Sequence, residues 1–108
     1  MVGSGDPWED QRRHQRLTCR LEAELVFGGA TWRCWIRDIS PAGASLEPAI
    51  PAALGEQVEL TCPRFGFASA LAGRVVNVAD DRTNMAFELD DAMQYNLAKF
   101  LAANLDLP

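Results

Sequence analysis

The chain has 108 residues with 48% hydrophobic and 23% charged side chains, which is ordinary globular usage and argues against intrinsic disorder, collagen and low-complexity classes. At this length a single compact domain is expected, since a second would lack a core. A net charge of −5 is poor footing for holding long nucleic acid by its phosphates, and no run approaches the roughly 18 apolar residues that a spanning helix needs.

Residues 1–10 carry Gly3, Ser4, Gly5 and Pro7 with no periodicity and read as a flexible lead-in, so a single domain is expected over 11–108. From Leu17 the pattern alternates. Leu17, Cys19, Leu21, Ala23, Leu25 and Phe27 share one side, against Thr18, Arg20, Glu22 and Glu24 on the other, as in a half-buried strand. Gly28-Gly29 turns the chain into a second alternating run, with Trp32, Cys34 and Ile36 opposite Thr31, Arg33, Trp35 and Arg37. The residues 38–43 interrupt that alternation with turn formers, ahead of a short strand at 44–47 and a proline-bracketed loop at 48–55.

Residues 57–62 alternate again with Val58, Leu60 and Cys62 inward, 63–66 read as a turn, and 70–78 as a strand bent or bulged at Gly73. Asp80-Asp81-Arg82 is the next hairpin tip, and 84–89 closes the strand series with Met85, Phe87 and Leu89 on one face. After Asp90 the period becomes 3.6, with Met93, Leu97, Phe100, Leu101 and Leu105 on one stripe and Asp91 and Gln94 in a capping relation. Six short strands followed by one helix predict a mainly β fold, an antiparallel barrel covered by a C-terminal helix.

Chemistry-bearing patterns are few. The chain has one histidine, His14, and lacks nucleophile-elbow, Walker, zincin and dinucleotide-binding signatures, so an enzyme would have little to work with. Asp80-Asp81 and Asp90-Asp91 suit a turn and a helix start better than acid/base work. Cys19, Cys34 and Cys62 have no paired spacing, which suits reduced, buried thiols in a cytoplasm and neither a zinc site nor a disulfide framework; no metal or cofactor is expected.

Charge is uneven. Residues 11–37 hold six arginines (Arg12, Arg13, Arg16, Arg20, Arg33, Arg37) and only two acids, a local balance of +4 in an acidic chain. Nine of the ten basic residues are arginine, whose planar fork suits bidentate recognition and stacking, so a small anionic ligand with flat rings would fit this patch. Arg20 and Arg33 alternate with apolar neighbours and read as the solvated face of a strand.

Arg12-Arg13-His14-Gln15-Arg16 before the first strand and Asp38-Ile39-Ser40-Pro41-Ala42-Gly43 after the second form R-x-x-x-R and D-x-S-x-x-G motifs separated by one hairpin. In that order and context the chain resembles the PilZ domain family over nearly its whole length, with Pro41 at a variable position. The resemblance implies a six-stranded antiparallel PilZ-type β-barrel with a C-terminal α-helix, binding the bacterial second messenger cyclic di-GMP.

The implied site is Arg12, Arg13, Arg16, Asp38, Ser40 and Gly43. Arginine's fork matches guanine O6 and N7, a role for Arg12 and Arg16; Arg13 suits a phosphate. Asp38 suits the guanine N1–H and N2–H2 donors, with Ser40 beside it. Gly43 would take a positive φ or let the backbone approach the ligand, against the alternative that the second motif is simply a turn.

The expected mechanism is a switch without catalysis: an arm of residues 1–16, including Trp8, closes over residues 38–43 on binding and offers its altered surface to a downstream protein. With no other domain in the chain, output is expected to travel through that partner. The alternatives are a PilZ-type interaction module that binds no nucleotide, and a small barrel stacking single-stranded nucleic acid on Trp32 and Trp35.

Overall fold

Alternating apolar and polar residues build strands that bury one face each, and the chain closes them into a ring. The computed structural model describes residues 17–66 and 70–105. They form β1 (Leu17–Phe27), β2 (Ala30–Ser40), β3 (Gly43–Glu47), β4 (Gln57–Thr61), β5 (Leu71–Ala79) and β6 (Arg82–Phe87), followed by α1 (Asp91–Leu105). The six strands make a closed antiparallel barrel in the order β1-β2-β3-β6-β5-β4, so the expected fold is the observed one.

The inward residues read from the alternation are the core. Leu25, Ile36, Ile39, Leu46, Leu60 and Leu71 are fully buried. Burial of each such side chain contributes about 1.5–3 kcal/mol. Leu97 and Leu101 of α1 are buried with them, and Phe100 meets Phe65 edge-on at 5.0 Å. Phe65 belongs to a 3₁₀ turn, Pro63–Phe65, where the sequence predicts only a turn. All three cysteines are free; burial pushes the Cys34 thiol up to about 12.

Four local expectations need correction. β2 does not stop before residue 38 but runs to Ser40, leaving Pro41-Ala42 as the turn into β3. In β5 the register shift falls between Val75 and Asn77, so Val76 and not Gly73 is the extra residue. Gly73 is instead a packing position, where a Cβ would overlap the Ala86 carbonyl oxygen. The helix cap is Asp90, one residue earlier than expected: its Oδ1 accepts from the Met93 amide at 2.8 Å, while Gln94 bonds the Leu89 carbonyl at 2.9 Å. Finally, Trp32 lies on the inward side in phase but at the barrel's end, where it remains 39% exposed and stacks on Phe27 at 5.9 Å.

Candidate ligand-binding site

Two bulges decide which side chains face the cleft. In β2, Cys34 and Ile36 point into the core, and unbroken alternation would send Asp38 and Ser40 after them. The register with β3 shifts between Ile36 and Asp38, with Arg37 as the extra residue. Ile39 therefore takes the core position at zero exposure, and Asp38 and Ser40 turn to the outer face. The Arg37 guanidinium is held by Glu47.

β5 repeats the device. Leu71, Gly73 and Val75 are inward, and the extra Val76 turns Asn77 to the outside, opposite Asn84 of β6. Asp38 pairs with Ser45, Ser45 with Asn84, and Asn84 with Asn77, so one polar row crosses β2, β3, β6 and β5 in register.

The neighbouring row is small. Ser40 pairs with Gly43, and Gly43 with Ala86, which leaves a shallow floor beside the polar row. Of the two roles expected of Gly43, the positive φ does not occur; the positive-φ glycines among the described residues are Gly28, Gly29, Gly55 and Gly66. A Cβ on Gly43 would overlap the Met85 carbonyl oxygen, so glycine is needed there for the close approach of β3 to β6. The Ala42 carbonyl accepts from the Phe87 amide at 2.8 Å, tying the turn to β6.

These rows line an open cleft of about 860 Å³, within the range of small-molecule sites. Asp38, Ser40 and Gly43 stand on one side; Val76, Asn77, Arg82 and Asn84 stand on the other. Asp38 is half-buried, and its negative charge adds to the burial that lifts the nearby Cys19 thiol to about 11. Ser40 is buried and its Oγ accepts from the Ala42 amide at 3.2 Å, so the serine-turn reading of the second motif also holds at that residue.

Arg82 donates from Nη1 to Ser45 Oγ at 3.0 Å. Sequence reasoning missed Arg82, Asn84, Asn77 and Ser45. The outward phase of Asn84 follows from Thr83 and Met85 being inward, but the pairing of β3 with the distant β6 leaves no trace in local patterning.

Arg12, Arg13 and Arg16 lie outside the described residues. What is described is where their segment enters: Leu17 pairs with Ile39 and Thr18 with Asp38, so β1 begins beside the D-x-S-x-x-G motif. The other arginines of the basic stretch are engaged on the barrel. Arg33 pairs with Glu22 at 2.9 Å, and Arg20 lies over the Trp35 ring at 4.6 Å. Among the described residues no cluster of metal-ligating side chains occurs, and no helix is long and apolar enough to cross a membrane.

Comparison with solved structures gives the same barrel. The PilZ domain of CeSA from a cellulose-synthesizing bacterium superposes with a TM-score of 0.72 at 17% identity, covering 83% of this chain and 97% of that one. The Bacillus subtilis inhibitor of motility, MotI/DgrA, gives 0.67 at 14% identity, covering 83% of this chain and 49% of that one. The K. pneumonia MrkH–c-di-GMP complex gives 0.65 at 17% identity, covering 83% and 49%. This chain thus spans about half the length of the latter two. No curated protein sequence matches it. A family model of the PilZ domain matches residues 10–103, nearly the full length, and the chain belongs to the PilZ domain family.

Proposed function

We propose that this chain is a receptor for cyclic di-GMP that works as a binding module without catalysis. The observation that carries the reading is that Asp38, Ser40 and Gly43 line one cleft, and that β1 begins at its edge. The R-x-x-x-R motif ends one residue before Leu17 in sequence, and Leu17 pairs with Ile39 in the second motif. Of the structural neighbours, MrkH is known as a complex with c-di-GMP.

The ligand offers two phosphodiester charges and two guanines. Arg12 and Arg16 take the O6/N7 edge and stack on a purine, Arg13 takes a phosphate, and Asp38 accepts from N1–H and N2–H2. The Gly43 amide and Ser40 complete the contact. Binding closes the segment up to residue 16 over the cleft, its ordering cost offset by arginine contacts made only when it is closed, and the new surface recruits a downstream protein. A receptor for this intracellular nucleotide acts in the cytoplasm.

A single-stranded nucleic-acid barrel is disfavoured. Trp32 and Trp35 have opposite phase on β2, and the one stacks on Phe27 while the other lies under Arg20, so they make no shared stacking platform.

Isothermal titration with cyclic di-GMP tests the proposal. Saturable binding is expected, weakened more than about tenfold in Asp38→Ala and Arg16→Ala, because a hydrogen bond to a charged group contributes about 1.5–3 kcal/mol. An absence of heat and of any thermal shift would favour the interaction module that binds no nucleotide.

A further inference from the structure

Arg82 is the described cation that the cleft leaves without a carboxylate. Arg33, Arg37 and Arg74 each engage a glutamate, Glu22, Glu47 and Glu88 respectively. Arg82 follows two aspartates in sequence, yet it forms no ion pair among the described residues. The Asp81 carboxylate instead accepts from the Ala49 amide at 3.4 Å. The Arg82 side chain reaches from β6 to β3, where Ser45 Oγ of the polar row accepts from Nη1. A guanidinium has five N–H donors in a fixed fork, so this one bond orients the group and leaves most of its capacity for the cleft.

Position gives the second argument. Asp38 and Asn84 are separated by β3, which is two strand spacings or about 10 Å. A carboxylate at one side repels phosphate and favours the donor edge of a base, so a phosphodiester of a ligand seated on Asp38 is stable only away from it. Arg82 is the described arginine that lines the cleft; it is rooted on that far side, on the strand of Asn84, and its guanidinium reaches back to Ser45 on β3, between Asn84 and Asp38.

We infer that Arg82 is a ligand-binding residue that takes one phosphodiester of the cyclic dinucleotide, with Ser45 Oγ as its positioning contact. This inference rests on the receptor reading above and adds to the two sequence motifs a contact from the β5–β6 hairpin.

The test is titration of cyclic di-GMP into the wild-type chain, Arg82→Gln, Arg82→Lys and Asp38→Ala, at two ionic strengths. Arg82→Gln should weaken binding roughly tenfold to a hundredfold and reduce its dependence on salt, since one charge–charge contact is gone. Arg82→Lys keeps the charge and loses the fork, so it should fall between the two and retain the wild-type salt dependence.

Arg82→Gln binding within about twofold of wild type, while Asp38→Ala has lost binding, would overturn the inference and leave the receptor reading standing. Weakened binding of Arg82→Gln with unchanged salt dependence would assign Arg82 a purely structural role and overturn it too. Should the glutamine variant lose its circular dichroism signature, the lysine variant decides, since wild-type affinity there is incompatible with a bidentate phosphate contact. A wild-type chain that takes up no cyclic di-GMP refutes both readings.

Discussion

Replacing Gly43 by alanine separates two explanations of the glycine in the second motif. If glycine serves only to let a ligand approach, Gly43→Ala folds as well as wild type and loses binding. The barrel geometry demands otherwise, because the new Cβ would overlap the Met85 carbonyl oxygen and lie 3.3 Å from the Ala86 Cα. These are backbone atoms of β6 and cannot swing aside. Either the β3–β6 ladder opens, at about 1 kcal/mol for each hydrogen bond lost, or the strands bow, at about 1–3 kcal/mol for overpacking.

A gain of about 0.4–1 kcal/mol from the stiffer unfolded chain offsets part of this. A net loss of about 0.5–2.5 kcal/mol lowers the melting temperature of a domain this size by about 2–15 °C. The assay is thermal unfolding of the ligand-free protein by circular dichroism. Gly28→Ala is the control: the added methyl meets nothing within 4 Å, and only its φ of +58° opposes it. A Gly43→Ala protein melting within about 2 °C of wild type would refute the packing argument.

Two further perturbations follow from the fold. Asp90→Ala should cost about 1 kcal/mol and lower the melting temperature by several degrees, while Asp91→Ala removes only a first-turn charge and costs less; the reverse order in paired thermal melts would put the cap at the wrong residue. The Cys34 thiol, at about 12 against 9.0 unfolded, should make stability fall as pH rises above 9 toward 12. The folded thiol keeps its proton there while the unfolded one releases it, at up to about 1.4 kcal/mol per pH unit. Urea titrations at pH 8 and pH 10 check this, and a Cys34→Ala chain with an undiminished slope would contradict it.

Hydrophobic alternation carried most of the barrel, because Ala23, Leu25, Cys34, Ile36, Val58 and Leu60 are buried as their phase requires, with Leu17, Cys19, Leu21 and Phe27 of β1 partly buried against them. What alternation could not carry is where the phase breaks. Arg37 and Val76 are ordinary strand residues, and their role as extra residues depends on the register of neighbouring strands that are distant in sequence. For that reason the D-x-S-x-x-G motif reads as an interruption although Asp38 and Ser40 lie within β2.

The helix start differs by one residue because Asp90 and Asp91 are equally good capping side chains and only the geometry distinguishes them. Both motifs of the implied site were legible, and the three of its residues that are described, Asp38, Ser40 and Gly43, share the cleft; the β5–β6 side was not, since Arg82 and Asn84 carry no pattern beyond a hairpin tip and a strand.

An amide-resolved NMR titration of the uniformly ¹⁵N-labelled chain with cyclic di-GMP tests the central claim most directly. The account predicts saturable shifts at residues 38–45 and 82–86, with the hairpin tip at Gly28 and Gly29 unmoved. Shifts confined to the Trp32 end of the barrel, or none at residues 38–45, would contradict it.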